Sequence, residues 1–77
     1  MNIIYTKEAE KFLDTQTEKQ TFGIRKAISS LPGGDIKRLR GIENAYRLRV
    51  GNVRVLFEKN VEAIHVIKID NRGDVYK

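Results

Sequence analysis

Arg47, Arg49 and Arg54 fall within one stretch, YRLRVGNVRVLF from Tyr46 to Phe57, whose arms alternate apolar and other residues around a Gly-Asn pair. Arginines concentrated in this way suit anion chemistry, because each guanidinium offers a planar fork of donors that grips two nonbridging phosphate oxygens at once. Arg72 and Tyr76 complete the candidate set. If the last piece of chain returns beside this stretch, the five side chains form a groove of cations with one phenol, which fits a ribose-phosphate backbone. Tyr76 can stack on a base or exchange a proton. RNA brings its own nucleophile: a neighbouring 2′-OH can attack phosphorus and expel the 5′-oxygen without a metal. The protein then has to align the groups, stabilise the developing phosphorane charge and supply a proton donor.

Other catalytic kits are missing. There is no cysteine, so neither a thiol nucleophile nor a thiolate metal site is available, and the single histidine, His65, reads as a half-buried strand residue. The acids show no pairing that a glycosidase-like dyad or a magnesium site would need. The Gly-rich piece Pro32 to Asp35 ends a helix instead of opening one, so it is no phosphate loop. No cofactor and no metal are expected.

The element that positions the arginines is a β-hairpin. With Gly51-Asn52 as a two-residue type II′ loop, Val50 faces Val53, Arg49 faces Arg54, Leu48 faces Val55, Arg47 faces Leu56 and Tyr46 faces Phe57. One face, with Tyr46, Leu48, Val50, Val53, Val55 and Phe57, is core; the other carries the arginines. Arg49 directly across from Arg54 is a like-charge pair that destabilises a sheet unless something anionic sits on it, and a bound phosphate would resolve the conflict.

Around the hairpin, Ile3 to Tyr5 predict a short strand, and Thr6 an N-cap for a helix with Glu8 and Glu10 in its first turn. Ala9, Phe12 and Leu13 form its apolar edge, and it ends near Asp14 to Gln16. Thr17 and Gln20 make a capping box for a second helix with Ile24, Ala27, Ile28 and Leu31 on its core face, stopped by Pro32-Gly33-Gly34. Ile36 to Gly41 is expected to be a basic connector, Glu58 to Glu62 a turn, Ala63 to Ile69 a central strand, and Gly73 to Lys77 a returning edge strand or tail. The expected fold is α+β: two N-terminal helices, an αα-hairpin, packed on a mostly antiparallel sheet of about four strands. Residues 1–77 are expected to form one domain, near the lower size limit for a self-sufficient core.

The formal net charge of +5 is uneven. Residues 1–35 and 58–77 are each balanced, and the whole excess lies between, where Lys37, Arg38, Arg40, Arg47, Arg49 and Arg54 meet only Glu43. That points to a local polyanion site, with Lys37, Arg38 and Arg40 as further RNA-binding candidates. No apolar run is long enough to span a bilayer, and the opening residues lack the layout of a secretory signal. A cytoplasmic location with no membrane partner is expected. Each residue also has an ordinary reading: Arg47 and Arg49 as outward strand positions, Arg54 paired with Glu58 or Glu43, Arg72 with Asp70 or Asp74, Tyr76 as cover for the core's rim. Only the constellation favours function.

The segments LRG (Leu39 to Gly41), YRLRVGNVRVLF, and IDNRGDVYK (Ile69 to Lys77) resemble the RelE/ParE superfamily of type II toxin–antitoxin toxins, in its RelE-like branch. The helical segments KEAEKFL and IRKAISSL fit as well. The resemblance implies a microbial-ribonuclease-like fold and an mRNA interferase, an endoribonuclease that inhibits translation by cutting mRNA in the ribosomal A site through 2′-OH attack. By position it gives Arg47, Arg49, Arg54, Arg72 and Tyr76 the roles of binding the scissile phosphate, stabilising its transition state, and stacking or proton transfer. It implies a cognate antitoxin as partner, with DNA contacted only indirectly through that antitoxin. A ParE-like gyrase inhibitor and a non-catalytic RNA- or antitoxin-binding member are the alternatives. Where many relatives have Gly-His or Gly-Lys before the last arginine, this chain has Asp70-Asn71, an acid that lowers the local positive potential.

Overall fold

The structure, a computed structural model, describes residues 2–71. Seven elements follow in order: β1 (Asn2–Tyr5), α1 (Lys7–Asp14), α2 (Glu18–Ser29), β2 (Asp35–Arg38), β3 (Ala45–Val50), β4 (Val53–Lys59) and β5 (Ala63–Asn71). The strands form one sheet in the order β1-β5-β4-β3-β2, with β1 parallel to β5 and the other pairings antiparallel.

Both helices start as the sequence predicts. Thr6 accepts a hydrogen bond from the Ala9 amide, and Thr17 and Gln20 close a reciprocal capping box; caps of this kind contribute about 1 kcal/mol each. Ala9 and Leu13 of α1 and Ile24 and Ile28 of α2 are buried together with Leu48, Val55, Phe57, Ile64, Val66 and Ile69 of the sheet. Ala27 and Leu31 pack against this core from its edge. An Arg25–Glu10 ion pair of 3.2 Å ties α2 to α1, and the Arg25 guanidinium also lies 4.7 Å over the Tyr5 ring.

The hairpin register matches the expected one at every pair from Tyr46↔Phe57 to Val50↔Val53. Gly51 has φ 58°, while Asn52 stays on the negative side, as a type II′ loop requires. The Tyr46 and Phe57 rings stack with centroids 5.5 Å apart, a cross-strand aromatic pair on the core face.

The sheet differs from expectation in two places. It has five strands instead of about four, because Asp35–Arg38 is a strand paired with β3 and not a connector. Only Ile36 in that segment packs on the core, so at the sheet's edge its strand character rests on backbone pairing and leaves little apolar alternation to read. Its entry is tight: Gly34 adopts φ 108°, and a Cβ there would stand 3.0 Å from Leu48 Cδ1. Secondly, the β4–β5 ladder slips between Leu56 and Phe57, so that Leu56 faces Lys68 while Phe57 faces Val66 and Ile67 is the extra residue. Thr6 bridges to this bulge, its amide donating to Val66 O (3.1 Å) and its hydroxyl to Ile67 O (2.6 Å). The expected piece Gly73 to Lys77 lies outside the described residues, as do Arg72 and Tyr76.

Candidate functional site: a cationic sheet face

Side chains alternate across a strand, so burying Leu48, Val55 and Phe57 sends Arg47, Arg49, Arg54 and Leu56 to the sheet face away from the helices. The register arranges that face in rungs crossing β2 to β5. One rung reads Asp35, Arg49, Arg54, Asp70. The adjacent rung reads Lys37, Arg47, Leu56, Lys68.

The first rung is neutral. Arg54 donates from Nε to Asp70 Oδ1 at 3.2 Å and from Nη2 to Asp70 Oδ2 at 3.1 Å, a bidentate fork on a carboxylate. The two side chains are 25% and 22% exposed. Arg49 Nε lies 3.7 Å from Asp35 Oδ2, a looser and more exposed pair. The like-charge conflict between Arg49 and Arg54 is therefore relieved from within, by an aspartate on each flank, and no phosphate is needed to explain the sheet. Neither Glu58 nor Glu43 is the partner of Arg54.

The second rung is not neutral. Lys37 and Arg47 have no ion pair among the described residues, and Lys68 reaches only Glu8, with Nζ 3.9 Å from Oε1. Leu56 sits between these cations and opens onto a shallow apolar groove of about 180 Å³, whose lining includes Leu39, Ile42 and Ile67. A cationic rim beside an apolar floor can hold the phosphate of a nucleotide and cover its sugar or base.

Of the candidates read from the sequence, Arg47, Arg49 and Arg54 come together on this face and Lys37 joins them through β2. Arg38 pairs with Tyr46 on the opposite side of the pleat, and Arg40 follows β2 in the loop leading to β3. Arg72 and Tyr76 lie outside the described residues. Lys68, Asp35 and Leu56 were missed as members of the face. Leu56 follows from the hairpin register already, Asp35 needs the β2–β3 pairing, and the bulge in the β4–β5 ladder hides Lys68 from strand periodicity. His65 is half-buried opposite Glu58, in keeping with a structural strand histidine. Among the described residues no group of three or more His, Cys, Asp or Glu is placed to hold a metal, and no helix is long and apolar enough to cross a membrane.

No family model matches the chain. A 42-residue segment is 40% identical to the toxin RelE3 of Methanocaldococcus jannaschii, covering 54% of this chain and 48% of that protein. The chain thus spans about half the length of the curated relative it matches. Its fold superposes on the toxin-antitoxin complex RelB-RelE from Methanococcus jannaschii with a TM-score of 0.76 at 26% identity, over 96% of this chain and 95% of the other. The chromosomal ParDE system of P. aeruginosa gives 0.71 at 17% identity, over 92% and 95%, a likeness of fold alone. In sequence over half of its length and in fold over nearly all of it, this chain resembles the toxins of the RelE/ParE superfamily.

Proposed function

We propose that the chain is the toxin of a type II toxin–antitoxin pair and acts as a metal-independent endoribonuclease on mRNA in the ribosomal A site. The observation that carries this reading is the open rung: Lys37 and Arg47, without an ion pair among the described residues, stand with Lys68, which has only a loose pair with Glu8, on the outer face of the sheet in a fold shared with a RelE toxin. In this reading the guanidiniums of Arg47, Arg49 and Arg54 receive the scissile phosphate. The neighbouring 2′-OH gives up its proton to solvent water and bonds to phosphorus, the bond to the 5′-oxygen breaks, and the arginines hold the charge that gathers on the equatorial oxygens. Arg72 adds a further cation and Tyr76 stacks or supplies the proton to the leaving oxygen. Lys37, Arg38, Arg40 and Lys68 guide the strand through long-range attraction. A cognate antitoxin neutralises the toxin by covering the cationic face and its apolar groove with an acidic or amphipathic segment, and DNA is reached only through that antitoxin.

The neutral rung favours a second reading, a ParE-like toxin that binds gyrase, because two of the arginines already have carboxylate partners. One experiment separates the two: induced expression without antitoxin, with primer extension on a translated reporter mRNA. In-frame cuts that vanish when translation is blocked support the nuclease. Growth arrest without cuts rejects it in favour of the gyrase-type target.

A further inference from the structure

We propose that Asp70 is an internal rival of the phosphate: its carboxylate holds the Arg54 fork, so that the chain's own side chain sets how tightly this face binds a phosphate anion. The inference rests on reading the face as phosphate-binding. The two bonds of 3.2 and 3.1 Å from Nε and Nη2 are the side-on pattern by which a guanidinium grips two oxygens of one anion. An anion arriving at Arg54 therefore meets donors already committed, and a negative charge beside them. Both side chains are about three-quarters shielded from water, so the competition is screened less than at a solvated pair. The register fixes it in place, because Asp70 is the β5 residue directly opposite Arg54. At Arg49 the rival Asp35 stands at 3.7 Å and is 58% exposed, and at Arg47 there is none among the described residues. Binding should accordingly begin at Arg47 and Arg49 and reach Arg54 only when Asp70 turns away. In the sequence Asp70 looks like a departure from the family pattern; in the sheet it is the residue that sets the affinity.

The test is a calorimetric titration of the full chain with inorganic tripolyphosphate at low salt. It compares the wild type with Asp70→Asn, Asp70→Ser, Glu58→Gln, Arg54→Ala and the Arg54→Ala/Asp70→Asn double variant, each first shown to be folded by circular dichroism. Asp70→Asn and Asp70→Ser should bind about threefold to tenfold more tightly than the wild type. Glu58→Gln changes the net charge equally on an exposed residue of β4, the strand that carries Arg54, and should give no comparable gain. The gain should disappear in the Arg54→Ala background. Equal or weaker binding by both Asp70 variants overturns the proposal, as does an equal gain from Glu58→Gln, a gain that survives without Arg54, or no tripolyphosphate binding by any variant. Primer extension on the reporter mRNA is run in parallel. Tighter tripolyphosphate binding without mRNA cuts keeps the rivalry and rejects the nuclease reading; cuts without the affinity gain do the reverse.

Discussion

Two neighbouring rungs of one sheet face carry arginines in the same strand, two residues apart, and differ only in what the adjacent strands place beside them. Arg49 meets Asp35 and, through Arg54, Asp70; Arg47 meets Lys37 and Leu56. The first arrangement satisfies its own donors, and the second leaves positive charge for something else. A residue's type therefore does not say whether it serves the fold or a ligand. Its cross-strand neighbours decide, and they are supplied by segments far away in sequence.

Four variants, one of them extended to a double substitution, probe this contrast in order of decreasing consequence. Leu48→Ala removes the side chain that anchors β3 and fixes which way Arg47 and Arg49 point. It should cost about 2–5 kcal/mol in chemical denaturation, and loss of both rungs' behaviour at once is the expected outcome. Arg47→Ala should leave stability within about 0.5 kcal/mol, since no described residue forms an ion pair with it, yet lower mRNA cleavage about 100-fold; a variant that cuts as well as the wild type would remove the open rung from the site. Arg54→Ala strands a half-buried carboxylate and should destabilise the fold by about 1–2 kcal/mol. Adding Asp70→Asn should restore part of that loss, the coupling being read from a double-mutant cycle of melting midpoints. Asp35→Asn, at the looser and more exposed pair, should shift stability by less than about 0.5 kcal/mol and by still less at high salt. A larger cost there would mean that both aspartates hold the sheet equally.

Much of this was legible in the sequence, for local reasons. The Gly-Asn turn fixes the hairpin register, and with it the direction of Arg47, Arg49 and Arg54. The capping box at Thr17 and the apolar spacing of Ile24 and Ile28 fix the second helix. Ile3 to Tyr5 and Ala63 to Ile69 read correctly as strands, but nothing local said that they lie side by side in parallel. Ile36 to Gly41 reads as a connector because the polar edge strand that overlaps it, Asp35–Arg38, has little apolar alternation to show. The candidate site was legible as a concentration of charge and illegible as an arrangement. Asp70 stood out as an unexpected acid, but its pairing with Arg54 depends on where β5 lies against β4, and the bulge at Ile67 shifts that register by one residue.

The clasp between Thr6 and the Val66–Ile67 bulge joins groups 60 and 61 residues apart in the chain. Translation runs at about 5–20 residues per second, so β1 is synthesised several seconds before the strand it must lie against. Through that interval β1 has no neighbouring strand, and Arg25–Tyr5 stacking cannot substitute for the parallel ladder with β5. The helices and the β2–β4 meander can form early because their contacts are local. The carboxylate that quiets Arg54 arrives with β5, as do Lys68 and the β1 docking edge. Closure of the sheet is thus a late event, and a chain interrupted before residue 63 would present a hairpin in which Arg49 can still meet Asp35 but Arg54 has lost its carboxylate.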